Sequence, residues 1–147
     1  YNFRGANRRY QILYDKSIKI IDDYAHHPTE ITATINAAKK IETGKITVVF
    51  QPHRYSRTNF FLNEFAESLK LADEVYLLPI YSAEEENIYN ISSEKLAELI
   101  GGNTRVYSEE EISDRVLNDN SSENVYLFMG AGSISRIANT IKNKLPL

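Results

Sequence analysis

The 147-residue sequence contains no cysteine and no tryptophan, and it has a single methionine. The lack of cysteine excludes disulfide bonds and thiolate metal sites, and it suits a reducing cytoplasm. The sequence also lacks an apolar run long enough to span a membrane and a stretch that resembles a secretory signal peptide. We therefore expect a globular, cytoplasmic domain that does not bind membranes.

Neither sign of charge predominates in the sequence. Seventeen Lys and Arg residues against 20 Asp and Glu residues give a formal net charge of −3. This balance argues against a general nucleic-acid binder. A chain of this length fits one domain that buries a core without disulfides or metals. Because it begins with Tyr1 and not with methionine, we expect a fragment of a longer protein.

Runs of apolar residues indicate strands that alternate with helices along the chain. An alternating stretch at residues 9–15 predicts a hairpin with the strand that follows it. Such an order is typical of a mostly parallel sheet with right-handed crossovers. We predict a single domain over residues 1–147 with a Rossmann-like α/β fold: an open, mostly parallel sheet with an antiparallel N-terminal edge strand and helices on both faces. The other strands are predicted at residues 18–21, 46–50, 74–78, 105–107 and 125–129.

The first helix is expected to begin at Pro28. Proline fits the first helical position, and Glu30 lies in the first turn beside the positive end of the helix dipole. Apolar residues continue this helix at spacings of three and four, and Gly44 is expected to act as its left-handed stop. Before the helix, Asp22 and Asp23 are expected to end the preceding strand.

Four polar segments, at residues 22–27, 51–57, 79–86 and 130–133, each follow a predicted strand. In open parallel sheets, ligands bind outside the carboxyl ends of the strands. We therefore expect these four segments to meet at one edge of the sheet and to form the binding site.

The first polar segment carries two carboxylates and two histidines. Successive strand residues point to opposite faces, so only one of Asp22 and Asp23 can face a given ligand. Such a carboxylate can accept hydrogen bonds from a ribose, or it can hold a helix N-terminus. His26 and His27 can orient a substrate or move a proton, although solvated or capping roles are commoner for loop histidines. No carboxylate–histidine spacing predicts a metal site.

The other segments favour an anion. Arg54 and Arg57, with His53, place up to three cationic groups where a carboxylate or phosphate can bind. The glycine turn at residues 130–133 offers backbone N–H groups at a helix start, which also suits an anion. As a dinucleotide motif this turn is weak, because Ser135 replaces a third glycine and the turn follows the last strand. The sequence contains no P-loop of the form Gly-x-x-x-x-Gly-Lys-Ser/Thr.

Three motifs together resemble the C-terminal domain of the Mur ligases, in the branch that joins L-alanine to UDP-N-acetylmuramate. They are DDYAHHPTE at residues 22–30, FQPHRYSRT at residues 50–58 and MGAGSI at residues 129–134. The stretch FRGANRRYQ resembles the hinge from the central ATPase domain, so residues 1–9 are expected to be a hinge remnant. Glu84 departs from the pattern Tyr-x-Ala-Gly-Glu, in which this branch has glycine.

The resemblance implies a part of an ATP-dependent ligase of peptidoglycan synthesis, which serves bacterial cell shape and division in the cytoplasm. In that reaction the carboxylate of UDP-N-acetylmuramate becomes an acyl phosphate, and the amine of L-alanine then attacks it. The phosphate loop, the Mg²⁺ ligands and the UDP site would lie in other domains, so we expect the isolated domain to be inactive. This domain would close over the site and exclude water.

The resemblance also implies roles for individual residues. Asp23 would contact the ribose of ATP, and Arg9 would reach toward its terminal phosphate. Arg54 and Arg57 would clamp the L-alanine carboxylate. A catalytic role of His26 as a general base is a hypothesis, and no metal ligand is assigned. The residues expected to line the L-alanine site are Arg54, Arg57, His26, His53 and Ser133.

Two other classes stay open from the residues alone. One is a stand-alone nucleotide-binding oxidoreductase or regulator, which the position of the glycine turn disfavours. The other is a non-catalytic interaction module, whose site loops would tolerate substitution.

Overall fold

The computed structural model of the protein describes residues 9–121 and 123–147. Most of the expected hinge remnant, residues 1–8, lies outside the described residues. The elements are β1 (Gln11–Asp15), β2 (Lys19–Asp23), α1 (Pro28–Ile41), β3 (Ile46–Phe50), α2 (Tyr55–Phe60), α3 (Leu62–Leu69), β4 (Glu74–Leu77), α4 (Ser93–Ile100), β5 (Thr104–Val106), α5 (Glu109–Leu117), β6 (Val125–Met129) and α6 (Ile134–Asn143).

The strands form one sheet in the order β1-β2-β6-β3-β4-β5. The β1–β2 pair is antiparallel, and the pairings β2–β6, β6–β3, β3–β4 and β4–β5 are parallel. This architecture confirms the predicted α/β class with an antiparallel N-terminal edge strand. In the described part of the chain, no helix combines the length and apolar character that a membrane crossing needs.

Helices cover both faces of the sheet. Helices α1, α3 and α4 pack on one face, where Ile35, Phe65 and Leu96 are fully buried. Helices α5 and α6 pack on the other face through Ile112 and Ile137. Burial of these side chains removes apolar surface from water, which stabilises the fold by roughly 25 cal/mol per Å². The central strands are buried on both sides, as expected for a parallel sheet.

The start of α1 follows from its sequence. Pro28 is its first residue, as predicted, and His27 caps it by accepting a hydrogen bond from the backbone N–H of Thr29. The Glu30 carboxylate in turn accepts from the backbone N–H of His27 at 3.2 Å, which completes a capping box. The segment between β2 and α1 therefore enters the helix at a fixed angle.

The end of α1 differs from the expectation. The helix is capped by Glu42 in an extended conformation, whose N–H donates to the carbonyl of Ala38. Gly44 therefore does not act as a left-handed stop. A Cβ atom at Gly44 would lie 1.5 Å from the carbonyl oxygen of Glu123, so glycine is required there for close backbone approach.

Two further boundaries near the site differ from the prediction, and in addition β4 ends one residue earlier and β5 begins and ends one residue earlier than predicted. Asp22 and Asp23 do not interrupt β2 but form its last two residues, paired with Phe128 and Met129 of β6. Likewise, the polar segment after β3 is not a loop throughout, because α2 begins at Tyr55. Both differences arise because polar side chains at the end of a buried strand or in a short helix break the apolar periodicity on which the prediction depends.

Candidate functional site

The polar segments meet at the carboxyl edge of the sheet, as the topology predicts. The segment after β3 pairs with the segment after β4 through a parallel bridge between His53 and Tyr81. Gln51 joins two more segments, because its side-chain amide donates to the carbonyl of Pro79 at 3.2 Å and its oxygen accepts from Ser133 at 2.9 Å. The backbone N–H of Gly130 donates to the carbonyl of Asp23 at 3.3 Å, so all four polar segments are held together by direct contacts.

Arg54 and Arg57, hereafter the arginine pair, lie at the start of α2. Arg54 has a φ of +75°, and its backbone N–H donates to the carbonyl of Tyr81 at 2.7 Å. Its guanidinium is about half exposed, with Nη1 3.9 Å from the Glu85 carboxylate. Among the described residues, the Nε of Arg57 is buried and has no hydrogen-bond partner. Such an unpaired buried donor is unusual in a folded protein.

The arginine pair borders an open cleft of about 500 Å³. Three aromatic side chains also line it, with Phe60 77% and Tyr89 41% exposed, together with the polar residues Ser56 and Asn59. The cleft therefore offers two guanidinium groups for an anion beside an apolar wall.

His53 lies beside the arginine pair. Its ring stacks on Tyr81, with 5.2 Å between the ring centroids, and a Cβ atom at Gly132 would lie 3.6 Å from its Cδ2. Burial lowers the pKa of His53, and the positive charges of the arginine pair lower it further. His53 is therefore a neutral side chain in the site at neutral pH, able to donate or accept one hydrogen bond.

The lowered pKa of His53 predicts a pH dependence of stability. When the pH falls below about 6.5, the unfolded chain binds a proton at this residue before the folded chain does, so the free energy of unfolding decreases. We expect His53→Phe, which keeps the ring stacked on Tyr81, to reduce the loss of stability between about pH 7 and pH 5. Urea unfolding at both values measures this difference. An unchanged slope would show that His53 does not contribute to it.

His26 is held by its own loop. Its Nδ1 lies 3.0 Å from the carbonyl of Tyr24, and its ring meets the Tyr24 ring edge-on at 4.9 Å. A carbonyl can only accept, so Nδ1 carries the proton and the Nε2 of neutral His26 is an acceptor. The neighbouring His27 caps α1 and packs against Phe61. The two adjacent histidines therefore differ in role, and His26 is the one available to a ligand.

The two aspartates face opposite sides of the sheet, as their alternation predicts. Asp22 accepts a 2.7 Å hydrogen bond from Ser135 of α6. Asp23 is 2% exposed, and its two oxygens accept from the backbone N–H groups of Tyr10 and Ala25, each at 2.8 Å. Since a carboxylate oxygen has two lone pairs, each oxygen of Asp23 keeps one lone pair that can accept a further hydrogen bond.

Arg9 lies at the start of the described chain, near the first polar segment. Its Nη2 is 3.5 Å from the Glu30 carboxylate, and its side chain is 53% exposed. Glu30 also lies 3.6 Å from Nδ1 of His26. The Glu30 carboxylate thus links Arg9, at the beginning of the described chain, to His26.

Ser133 is the N-terminal cap residue of α6, but its side chain makes no capping bond. The Ser133 hydroxyl donates its hydrogen bond to Gln51. While that bond is present, Ser133 can only accept a hydrogen bond from a ligand. Within residues 9–121 and 123–147, no group of three or more His, Asp or Glu side chains is placed to hold a metal ion.

Sequence reasoning missed the role of Glu85 and Ser56. The Glu85 carboxylate accepts from both the backbone N–H and the hydroxyl of Ser56, at 3.0 and 2.6 Å. The sequence signal that could have identified Glu85 is its place as the last residue of the pattern Tyr-x-Ala-Gly-Glu. Glu84, which stands where that pattern has glycine, has a φ of +68°, a region that favours glycine. The loop therefore keeps a left-handed residue despite the substitution.

Comparison with known families identifies a match over most of the chain. Residues 8–132 match the family model described as Mur ligase, glutamate ligase domain. UDP-N-acetylmuramate–L-alanine ligase from Fusobacterium nucleatum is 45% identical, with 97% of this chain and 33% of that protein covered. The same enzyme from Aquifex aeolicus is 43% identical, with 91% and 30% covered. The chain thus spans about a third of the length of these relatives.

Solved structures share the fold. UDP-N-acetylmuramate-alanine ligase from Thermotoga maritima matches with a TM-score of 0.73 and 29% identity, over 93% of this chain and 29% of that chain. A domain of a Haemophilus ducreyi protein matches with a TM-score of 0.63 and 25% identity, over 88% of this chain and 93% of that chain. The second comparison shows that a unit of this size has been crystallised by itself.

Proposed function

Because the chain belongs to the Mur ligase family, through the glutamate ligase domain matched by residues 8–132, we propose that it binds the amino acid in an ATP-dependent ligase that joins L-alanine to UDP-N-acetylmuramate. Two of the relatives that carry this name are 45% and 43% identical to the chain. The proposed setting is peptidoglycan synthesis in the bacterial cytoplasm.

The observation that carries the proposal is the arginine pair beside a neutral histidine at the carboxyl edge of the sheet. L-Alanine offers one carboxylate, which two guanidinium groups bind by charge-assisted hydrogen bonds. The carboxylate also supplies an anion beside Arg57, whose Nε lacks a partner in the described residues. His26 and His53 then border the small methyl and amino groups, and Ser133 accepts or donates at the rim.

We propose that this domain holds L-alanine while other domains activate the second substrate. The chain lacks a P-loop, and no described cluster suits a metal ion, so the phosphate loop and the Mg²⁺ ligands are assigned to the rest of the enzyme. The acyl phosphate of UDP-N-acetylmuramate reacts with water as well as with an amine. Closure of this domain therefore has two uses, which are to bring the amine to the acyl carbon and to exclude water.

The nucleotide contacts are proposed for Asp23 and Arg9. Asp23 has free lone pairs for a ribose hydroxyl, although its burial leaves little room for one. Arg9 is exposed and, among the described residues, forms an ion pair only with Glu30, at 3.5 Å, so its guanidinium can turn to a phosphate. We assign no general base, and the role of His26 as one stays a hypothesis.

The test uses the complete open reading frame that contains this chain. ADP release is measured with ATP, Mg²⁺ and UDP-N-acetylmuramate, with and without L-alanine, and with glycine or L-serine in its place. We expect release to require L-alanine. Release that ignores L-alanine, or that prefers another amino acid, would contradict the proposed substrate. An enzyme without ADP release under any of these conditions would favour a non-catalytic interaction module.

A further inference from the structure

We infer that Glu85 is the positioning residue of the arginine pair, and that it sets the affinity of the site for the amino acid carboxylate. This inference rests on the proposed function and names a residue that the sequence did not assign to the site. Glu85 lies in the long segment between β4 and α4, 29 positions after Ser56.

Glu85 contacts Ser56, which lies in the first turn of α2. One carboxylate oxygen accepts from the backbone N–H of Ser56 at 3.0 Å, and the other accepts from its hydroxyl at 2.6 Å. Ser56 lies between Arg54 and Arg57 in the chain. A carboxylate that holds Ser56 at two points therefore holds the backbone from which both arginine side chains extend.

The backbone around Arg54 needs such support. Its φ of +75° is unfavourable for a residue that has a Cβ atom, and it persists only where surrounding contacts hold it. On one side, the backbone N–H of Arg54 donates to Tyr81, whose own N–H donates to Pro52 at 2.9 Å. On the other side, the Thr58 hydroxyl donates to the Arg54 carbonyl at 2.7 Å. Glu85 supplies the third support, at Ser56.

The charge of Glu85 does not itself favour the binding of an anion, so its contribution to the site lies in its contacts to Ser56. Its side chain is one-quarter exposed, and the hydrogen bonds from Ser56 hold the pKa of the Glu85 carboxyl below its usual range. The carboxylate is therefore ionised at neutral pH and offsets part of the positive charge of the arginine pair. Its distance of 3.9 Å from Nη1 of Arg54 is too long for a hydrogen bond, so the guanidinium keeps its donors for a ligand.

The test compares Glu85→Ala, Glu85→Gln and Glu84→Gln in the complete ligase. Glutamine at 85 can accept from the Ser56 N–H and donate to its hydroxyl, so it keeps the geometry without the charge. Glu84→Gln makes the same charge change at the preceding residue, for which no contact to α2 is described. We expect Glu85→Ala to raise the KM for L-alanine about tenfold, a change of about 1.4 kcal/mol, with the KM for ATP unchanged. Glu85→Gln should recover most of this loss, and Glu84→Gln should match the wild type.

A second readout does not need activity. Amide hydrogen exchange at residues 54–58 should be faster in Glu85→Ala than in the wild type, while exchange in β3 and β6 should be unchanged. A purely structural role of Glu85 would raise the KM values for all substrates together or leave them all unchanged, and either result overturns the inference. Equal exchange rates at residues 54–58 overturn it as well. A wild-type enzyme that does not need L-alanine overturns the proposed function, whereas the exchange experiment still decides whether Glu85 holds α2.

Discussion

Replacement of Arg54 by alanine is expected to raise the KM for L-alanine about 10- to 100-fold, since a hydrogen bond between charged groups contributes about 1.5 to 3 kcal/mol and 1.4 kcal/mol is tenfold. The kcat should change much less, because the carboxylate is bound in the ground state and in the transition state alike. Initial rates of the complete ligase at varied L-alanine concentration measure both constants.

Two further variants define what Arg54 contributes. Arg54→Lys keeps the charge but loses the planar fork that binds a carboxylate at two points, so it should recover only part of the affinity. Arg136→Ala is the matched control, because Arg136 is exposed on α6 and pairs with Glu109 at 3.0 Å. The loss of that surface pair should leave the KM for L-alanine unchanged. If Arg54→Ala behaves like Arg136→Ala, the arginine pair does not bind the substrate carboxylate.

Much of the fold could be predicted because its signals are local. Pro28 and Glu30 mark a helix start by their own backbone and charge properties, and the structure begins α1 at Pro28. Strands that alternate with helices imply a parallel sheet, which places every loop after a strand at one edge. For this reason His53 and the arginine pair could be assigned to one site before any contact was known.

The parts that escaped prediction depend on contacts distant in sequence. Gly44 looks like a helix stop because it follows a helix. Glycine is in fact required there because a Cβ atom would clash with the carbonyl of Glu123 in another loop. Glu85 lies in a segment without periodicity, and only the folded chain brings it to Ser56. The sequence shows that Glu85 is present, but its role depends on Ser56, which only the fold brings next to it.

Asp22 and Asp23 illustrate the same limit within one strand. Alternation predicts that they face opposite sides, and the structure places Ser135 on one side and the N–H groups of Tyr10 and Ala25 on the other. What sequence could not show is that both oxygens of Asp23 already accept from the backbone. Its proposed contact with a ribose therefore coexists with a structural role.

Replacement of Asp23 by alanine should lower the free energy of unfolding of the domain by about 2 to 5 kcal/mol. The change removes the acceptor of two backbone N–H groups, and a buried donor without a partner costs about 1 to 3 kcal/mol. Urea unfolding of the isolated domain measures the loss. Asp15→Ala is the matched control, because Asp15 is 60% exposed and lies 3.9 Å from Lys19, so its loss should change stability by less than about 0.5 kcal/mol.

The Asp23→Asn variant separates the structural role from the nucleotide contact. An asparagine oxygen can accept one of the two N–H groups, so part of the stability should be retained. In the complete ligase, at a temperature where this variant is folded, a ribose contact predicts a raised KM for ATP with the KM for L-alanine unchanged. A lower stability with an unchanged KM for ATP would contradict the ribose contact and leave Asp23 as the carboxylate that ties the start of the described chain to the edge of the sheet.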